Sequence, residues 1–193
     1  SSVARDRARK RSQEKADALA TKVRELADKY QHCPPAKSEG RGVFEISIRR
    51  DGLGAHINRD VNGSGCFKVP LAEWQSAALQ ELLKAGQQGV LEFDVYSALE
   101  KRGWIDTWFQ EGGRDAIEGV RRLMPTFELP ARSIQLYFKL LQADGLLISS
   151  DAGTWWAADT LTRRVASARE LRQRPAKRFD EIEAVITKKL NAL

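Results

Sequence analysis

Apolar residues Ala16, Leu19, Val23, Leu26 and Tyr30 follow one another at steps of three and four, and no Gly or Pro occurs from 3 to 30. That period predicts a helix over 3–30 with a narrow apolar seam. The seam either packs on the helix's own domain or pairs two copies of the chain. Residues 33–42 carry Pro34-Pro35 and two glycines and read as a linker. Strict alternation follows, with Phe44, Ile46 and Ile48 on one side and Glu45, Ser47 and Arg49 on the other, the pattern of a strand. Turn signals DGLG at 51–54 and VNGSG at 61–65 set off a return strand near 55–59 and a third at 66–69. The expectation over 43–69 is therefore an antiparallel β-meander. Its polar side, with Arg49, Arg50, Arg59 and Lys68, is either a basic surface or simply solvated.

From Pro70 the period becomes helical, with Leu71, Trp74, Ala78, Leu79 and Leu82 inward and Gly86 and Gly89 closing the helix. Two more helices are expected at 91–103, with Phe93, Val95 and Leu99 inward, and at 112–124, with Ile117, Val120, Leu123 and Met124 inward. Pro130 can open the next helix, 131–144, and Gly145 can stop it. Ile134, Phe138 and Leu141 define its inward face, widened by Tyr137 and Leu140, and leave Arg132, Ser133, Gln135, Lys139 and Gln142 outside. A strand at 146–149, a turn at 150–153 and an aromatic return strand with Trp155 and Trp156 complete this region. The remainder, 159–193, reads as helical with a break at Pro175. Beyond that break Phe179, Ile182, Ile186 and Leu190 form an apolar stripe.

The run LPARSIQLYFKLLQADGLLISSDAGTWW, from 129 to 156, resembles the recognition helix and wing of winged-helix proteins. The likeness covers about 92–158 and takes 92–103 and 112–124 as the two preceding helices. It implies that helix 131–144 enters a major groove, with Arg132 on guanine, Gln135 on adenine, and Ser133 and Lys139 on phosphates. Arg121 and Arg122 would clamp the backbone, and Arg163 and Arg164 would add to the contact. The wing carries Asp151 and no Lys or Arg, a poor surface for an anion. The connection 104–113, with two tryptophans, is longer than a minimal winged helix uses. The first strand of the usual small sheet falls there, or the meander packs alongside.

Charge sharpens this picture. The net charge is +6, yet residues 1–30 carry +4, 162–193 carry +5, and the span between is −3. A polyanion would meet the two ends first. The tract RDRARKR at 5–11 is a nucleic-acid arm or a solvated tail. No apolar run is long enough to span a bilayer, and no export segment is visible, so a cytoplasmic protein (nucleoid-associated in a bacterium) with free thiols at Cys33 and Cys66 is expected. Those cysteines with His32 and His56 match no metal-site spacing. There is no phosphate loop, no catalytic triad and no carboxylate cluster around Asp94 or Glu100. No cofactor is expected.

The fold class is thus α+β and mostly helical. It divides into a basic helix over 1–32, a meander over 43–69, a winged-helix-like unit over 70–158 and a basic helical segment over 159–193. The leading function is a non-enzymatic DNA-binding protein, in transcriptional control, mobile-element maintenance or replication. It would form a homodimer through Phe179, Ile182, Ile186 and Leu190. The alternatives are a winged-helix adaptor that docks protein, and a non-catalytic piece of a larger nucleic-acid enzyme.

Overall fold

The computed structural model describes residues 2–31 and 57–190. Among them the elements are α1 (Ser2–Gln31), α2 (Leu71–Ala85), β1 (Val90–Leu91), α3 (Glu92–Lys101), α4 (Gly113–Leu123), α5 (Pro130–Ala143), β2 (Leu147–Ser149), β3 (Thr154–Ala157) and α6 (Asp159–Leu190). The protein is α+β and mostly helical. Its antiparallel sheet has the order β1-β3-β2, with Val90 opposite Trp155 and Ile148 opposite Trp156.

Most of the expected meander, 43–56, lies outside the described residues. From 57 to 69 no strand forms. Residues Ser64–Cys66 make a single tight helical turn, and Phe67 forms one isolated bridge with Ile105. The segments at 57–59 and 66–69, set off as strands by the turn signals around them, instead serve burial without pairing, since Ile57, Cys66 and Phe67 are all core residues. Phe67 stacks on Trp74 with ring centroids 4.4 Å apart. His32, Cys33 and His56 lie outside the described residues, and Cys66 is fully buried. Among the described residues no helix is long and apolar enough to cross a membrane.

Three helices, α2, α3 and α5, pack together under the sheet. Trp74 of α2 meets Tyr137 of α5 edge to face at 5.5 Å, and Phe138 of α5 meets Trp155 of β3 at 5.5 Å. Helix α3 starts cleanly because the Asp94 carboxylate accepts the Leu91 N–H at 3.2 Å, which satisfies one of the orphan donors of a helix start. The first strand is β1, two residues at 90–91, rather than the aromatic connection at 104–113. That connection instead gives a helical turn, Trp108–Gly112, with Trp108 and Phe109 buried.

Helix α4, which the winged-helix likeness takes as the helix before the recognition helix, packs chiefly on α1. The reason is steric. A Cβ on Gly119 would stand 2.4 Å from Val23 Cγ2, and one on Gly112 would stand 2.4 Å from Leu26 Cδ1. Those two notches seat the apolar end of the α1 seam, and Leu26 is fully buried there. Leu123, expected inward, is exposed at the far end of α4. The seam is thus divided: Val23, Leu26 and Tyr30 pack on the chain's own body, while Ala16 and Leu19 are exposed. The backbone of α6 runs helically through Pro175, where a break was expected. One missing N–H is tolerated inside a 32-residue helix otherwise rich in good helix formers.

Candidate nucleic-acid interface

The two faces of α5 follow from its wheel. Ile134, Tyr137, Phe138 and Leu141 are buried, and Arg132 and Lys139 are exposed. Pro130 opens the helix, where its missing N–H costs no bond. Gly145 closes it at φ 71°, with the Leu146 N–H donating to the Leu141 carbonyl at 2.9 Å, the hydrogen-bond pattern of a glycine-terminated helix. The side chains of Arg132 and Gln135 share the outward face, and the Arg132 guanidinium donates to the Gln135 side-chain oxygen. Lys139 stands one turn beyond Gln135.

The carboxylate at the end of α5 is occupied. Asp144 accepts from Arg59 Nη2 at 2.6 Å and Nε at 3.1 Å. This contact removes Arg59 from the basic surface expected at 43–69 and also removes a negative group from the presented face. The loop that supplies Arg59 is pinned by Gln75, which donates to the Arg59 carbonyl at 2.6 Å and accepts its N–H at 2.9 Å. Neither partner could be chosen from sequence, because Gln75 lies on the buried side of α2.

Two expected contacts are corrected. Ser133 is fully buried, and its hydroxyl donates to the Asn62 carbonyl at 2.7 Å, so it cannot hold a phosphate. It stands four residues before Tyr137, on the inward side, a position the wheel discloses. Arg121 is bound by two carboxylates, Glu118 at 2.5 Å and Glu128 at 2.6 Å. The hydrogen bond to Glu128 is the main reason its pKa is raised. With two anions on one guanidinium, this cluster is net negative and repels phosphate. Arg122 is exposed at the end of α4, and Arg163 and Arg164 are exposed on the first turns of α6.

The turn between β2 and β3 offers nothing to an anion. Ser149 Oγ accepts from Gln142 at 2.8 Å, and Asp151 is exposed. The two neighbouring tryptophans do face opposite sides. Trp155 is buried and donates to Glu92 at 3.0 Å, while half-buried Trp156 donates to the Gln87 carbonyl at 3.0 Å. Beside α5 lies a groove of about 330 Å³ lined by Asp60, Val61, Asn62, Leu136, Lys139 and Leu140. Leu140, expected inward, is 40% exposed. No group of three or more His, Cys, Asp or Glu able to hold a metal occurs among the described residues.

No protein-family model, curated protein or solved structure matches this chain.

Proposed function

We propose that this chain is a non-enzymatic DNA-binding protein that presents α5 to duplex DNA from a winged-helix-like unit. The element order supports the winged-helix reading. Helix, strand, helix, helix, strand, turn, strand is recovered as α2-β1-α3-α5-β2-β3, with sheet order β1-β3-β2 and the three helices packed together. The segment holding α4 is then an insertion between the second and third helices of the unit.

The observation that carries the proposal is the outward face of α5. Its core side is buried, Arg132 and Lys139 are exposed with half-buried Gln135 held beside Arg132, and its terminal carboxylate is paired with Arg59. In a major groove Arg132 has the fork geometry for guanine, Gln135 the amide for adenine, and Lys139 a point charge for phosphate. Arg163 and Arg164 supply further backbone contacts, while Ser133 and Arg121 take no part. The test is duplex affinity at two salt concentrations for the parent and for Arg132→Ala with Lys139→Ala. The variant is expected to bind at least about tenfold more weakly, because a lost bidentate base contact alone costs about 1–3 kcal/mol. Its circular dichroism should be unchanged. Parental affinity in a folded variant would refute the role of α5.

A second reading, docking of a protein partner, is favoured by one observation. The groove beside α5 places exposed Leu140 and half-buried Leu136 between Lys139 and Asp60, and a carboxylate at that rim suits a peptide better than a phosphate. A chain with no salt-sensitive affinity for duplex would support this reading over the first.

A further inference from the structure

Helix α1 is anchored at only one end. From Val23 to Tyr30 it packs into the notches of α4 and the turn before it, and Tyr30 donates to the Thr126 carbonyl at 2.9 Å. Residues 2–21 are all exposed, so a stretch of about 30 Å overhangs the body. This overhang carries six cations, Arg5, Arg7, Arg9, Lys10, Arg11 and Lys15, against three carboxylates, Asp6, Glu14 and Asp17. Asp17 accepts from Gln13 at 2.8 Å, and no ion pair joins any of the six cations to a described carboxylate.

At 100° per residue the charges sort onto faces. Arg7, Arg11 and Lys15 follow at i, i+4 and i+8 and make one stripe about 6 Å per step, close to two phosphate steps of one DNA strand at about 3.4 Å each. Arg5 and Arg9 lie in line with Ala16, Val23 and Ala27. The face that meets the body near its anchored end therefore becomes arginine where the helix leaves the body. Exposed large apolar residues on the overhang are confined to Val3 and Leu19. That is too little for a protein core contact or for a helix lying in a lipid surface, which needs a continuous apolar side.

We propose that the overhang of α1 is a second, sequence-independent arm that binds the phosphates of duplex DNA. The inference rests on the proposed function only in naming DNA as the partner, since none of its residues belongs to the α5 face. Four of the six cations are arginines, which bind phosphate in a fork and stay charged at any working pH.

The experiment uses the full chain and a variant with Arg5, Arg7, Arg9 and Arg11 all changed to Gln. A second variant has the same four changed to Lys, and a third is Arg132→Ala with Lys139→Ala. Affinity is measured for two duplexes of unrelated sequence at two salt concentrations, and for vesicles containing an anionic lipid. The Gln variant should weaken both duplexes by the same factor, at least about tenfold, with a salt slope shallower by about two to four. The Lys variant should restore most of both. Gln keeps the helix propensity, so circular dichroism should stay parental. If the Gln variant keeps its affinity and slope while the α5 variant loses affinity, the arm proposal falls and the α5 reading stands. If the chain binds no duplex, both fall. If the Gln variant loses vesicle binding alone, the arm belongs to a membrane surface and the proposal is overturned.

Discussion

Ser133 and Tyr137 stand one turn apart on the inward side of α5, and each puts a hydroxyl into the core. Their situations differ. Ser133 donates to the Asn62 carbonyl, and the next residue, Gly63, has φ 93° and no room for a side chain, since a Cβ there would stand 2.1 Å from the same hydroxyl. The contact fixes the loop at 61–63 against the start of α5. Ser133→Ala should cost about 0.5–1.5 kcal/mol in equilibrium urea unfolding and leave duplex affinity unchanged. A loss of affinity in the folded variant would reinstate Ser133 as a contact residue. Tyr137 has no hydrogen-bond partner for its hydroxyl among the described residues, and burial raises its pKa above the ordinary 10.0. The sign follows from linkage. A phenol whose folded pKa exceeds its unfolded value contributes stability that is fully present below about pH 10 and is lost as pH climbs through the unfolded value toward the folded one. Tyr137→Phe removes an unpaired buried hydroxyl, so it should be neutral or stabilising at pH 7. Its unfolding free energy should also fall less steeply than the parent's above about pH 10. A destabilised variant at pH 7 would mean that the hydroxyl has a partner.

At the scale of elements, the helices whose period was long and whose ends were marked are the ones the sequence discloses. Pro130, the Ile134–Phe138–Leu141 spacing and Gly145 define α5 to within a residue or two. The β2–β3 ribbon follows from its turn and the short apolar runs on either side of it. Strand β1 was hidden because two residues carry no period. The turn signals around 57–69 misled because Gly and Asn mark a turn without deciding whether a strand or an irregular buried segment follows it. The partner of α4 was hidden for another reason. Hydrophobic spacing states which face of a helix is buried but not against what, and here the choice between α1 and α5 is made by absent side chains, at Gly112 and Gly119. Gly119→Leu should therefore release the anchored end of α1. Overpacking of this kind costs about 1–3 kcal/mol, and the local consequence is faster amide exchange across residues 23–30 with little change in α5. Parental protection at 23–30 would show that the notch is not what seats the helix. The candidate site divides in the same way. Arg132, Gln135 and Lys139 were legible from the wheel, whereas the capture of Arg121 by Glu118 and Glu128, and of Asp144 by Arg59, depends on loop paths that no local pattern encodes.

For the whole molecule, the informative fact is where apolar surface remains. A groove of about 780 Å³ lies between the end of α2, the sheet and the start of α6, lined by Leu82, Leu83, Ile148 and Trp156 among others. Far along α6, Ile182 and Ile186 are 50% and 51% exposed, and Val185 is 56% exposed. Thr162 of α6 lines the groove, and Ile182 lies about 30 Å further along the same continuous helix at 1.5 Å per residue. The stripe cannot fold back onto its own groove without breaking α6. A second copy brings an identical stripe and is the partner expected to cover it. Covering a half-exposed isoleucine gains about half of the roughly 1.5–3 kcal/mol of full burial, so a dimer stable at micromolar concentration needs more of the α6 face than these two side chains. The expected outcome is a dimer mass by light scattering for the parent and a monomer mass for Ile182→Asp with Ile186→Asp, with the fold intact because both side chains lie outside the core. A two-fold arrangement would set two α5 faces and two α1 arms on one duplex, and a dimeric parent should then protect two half-sites in a footprint where the Asp variant protects one. A parent that is already a monomer at micromolar concentration would assign the stripe to a different partner and leave each α5 to bind alone.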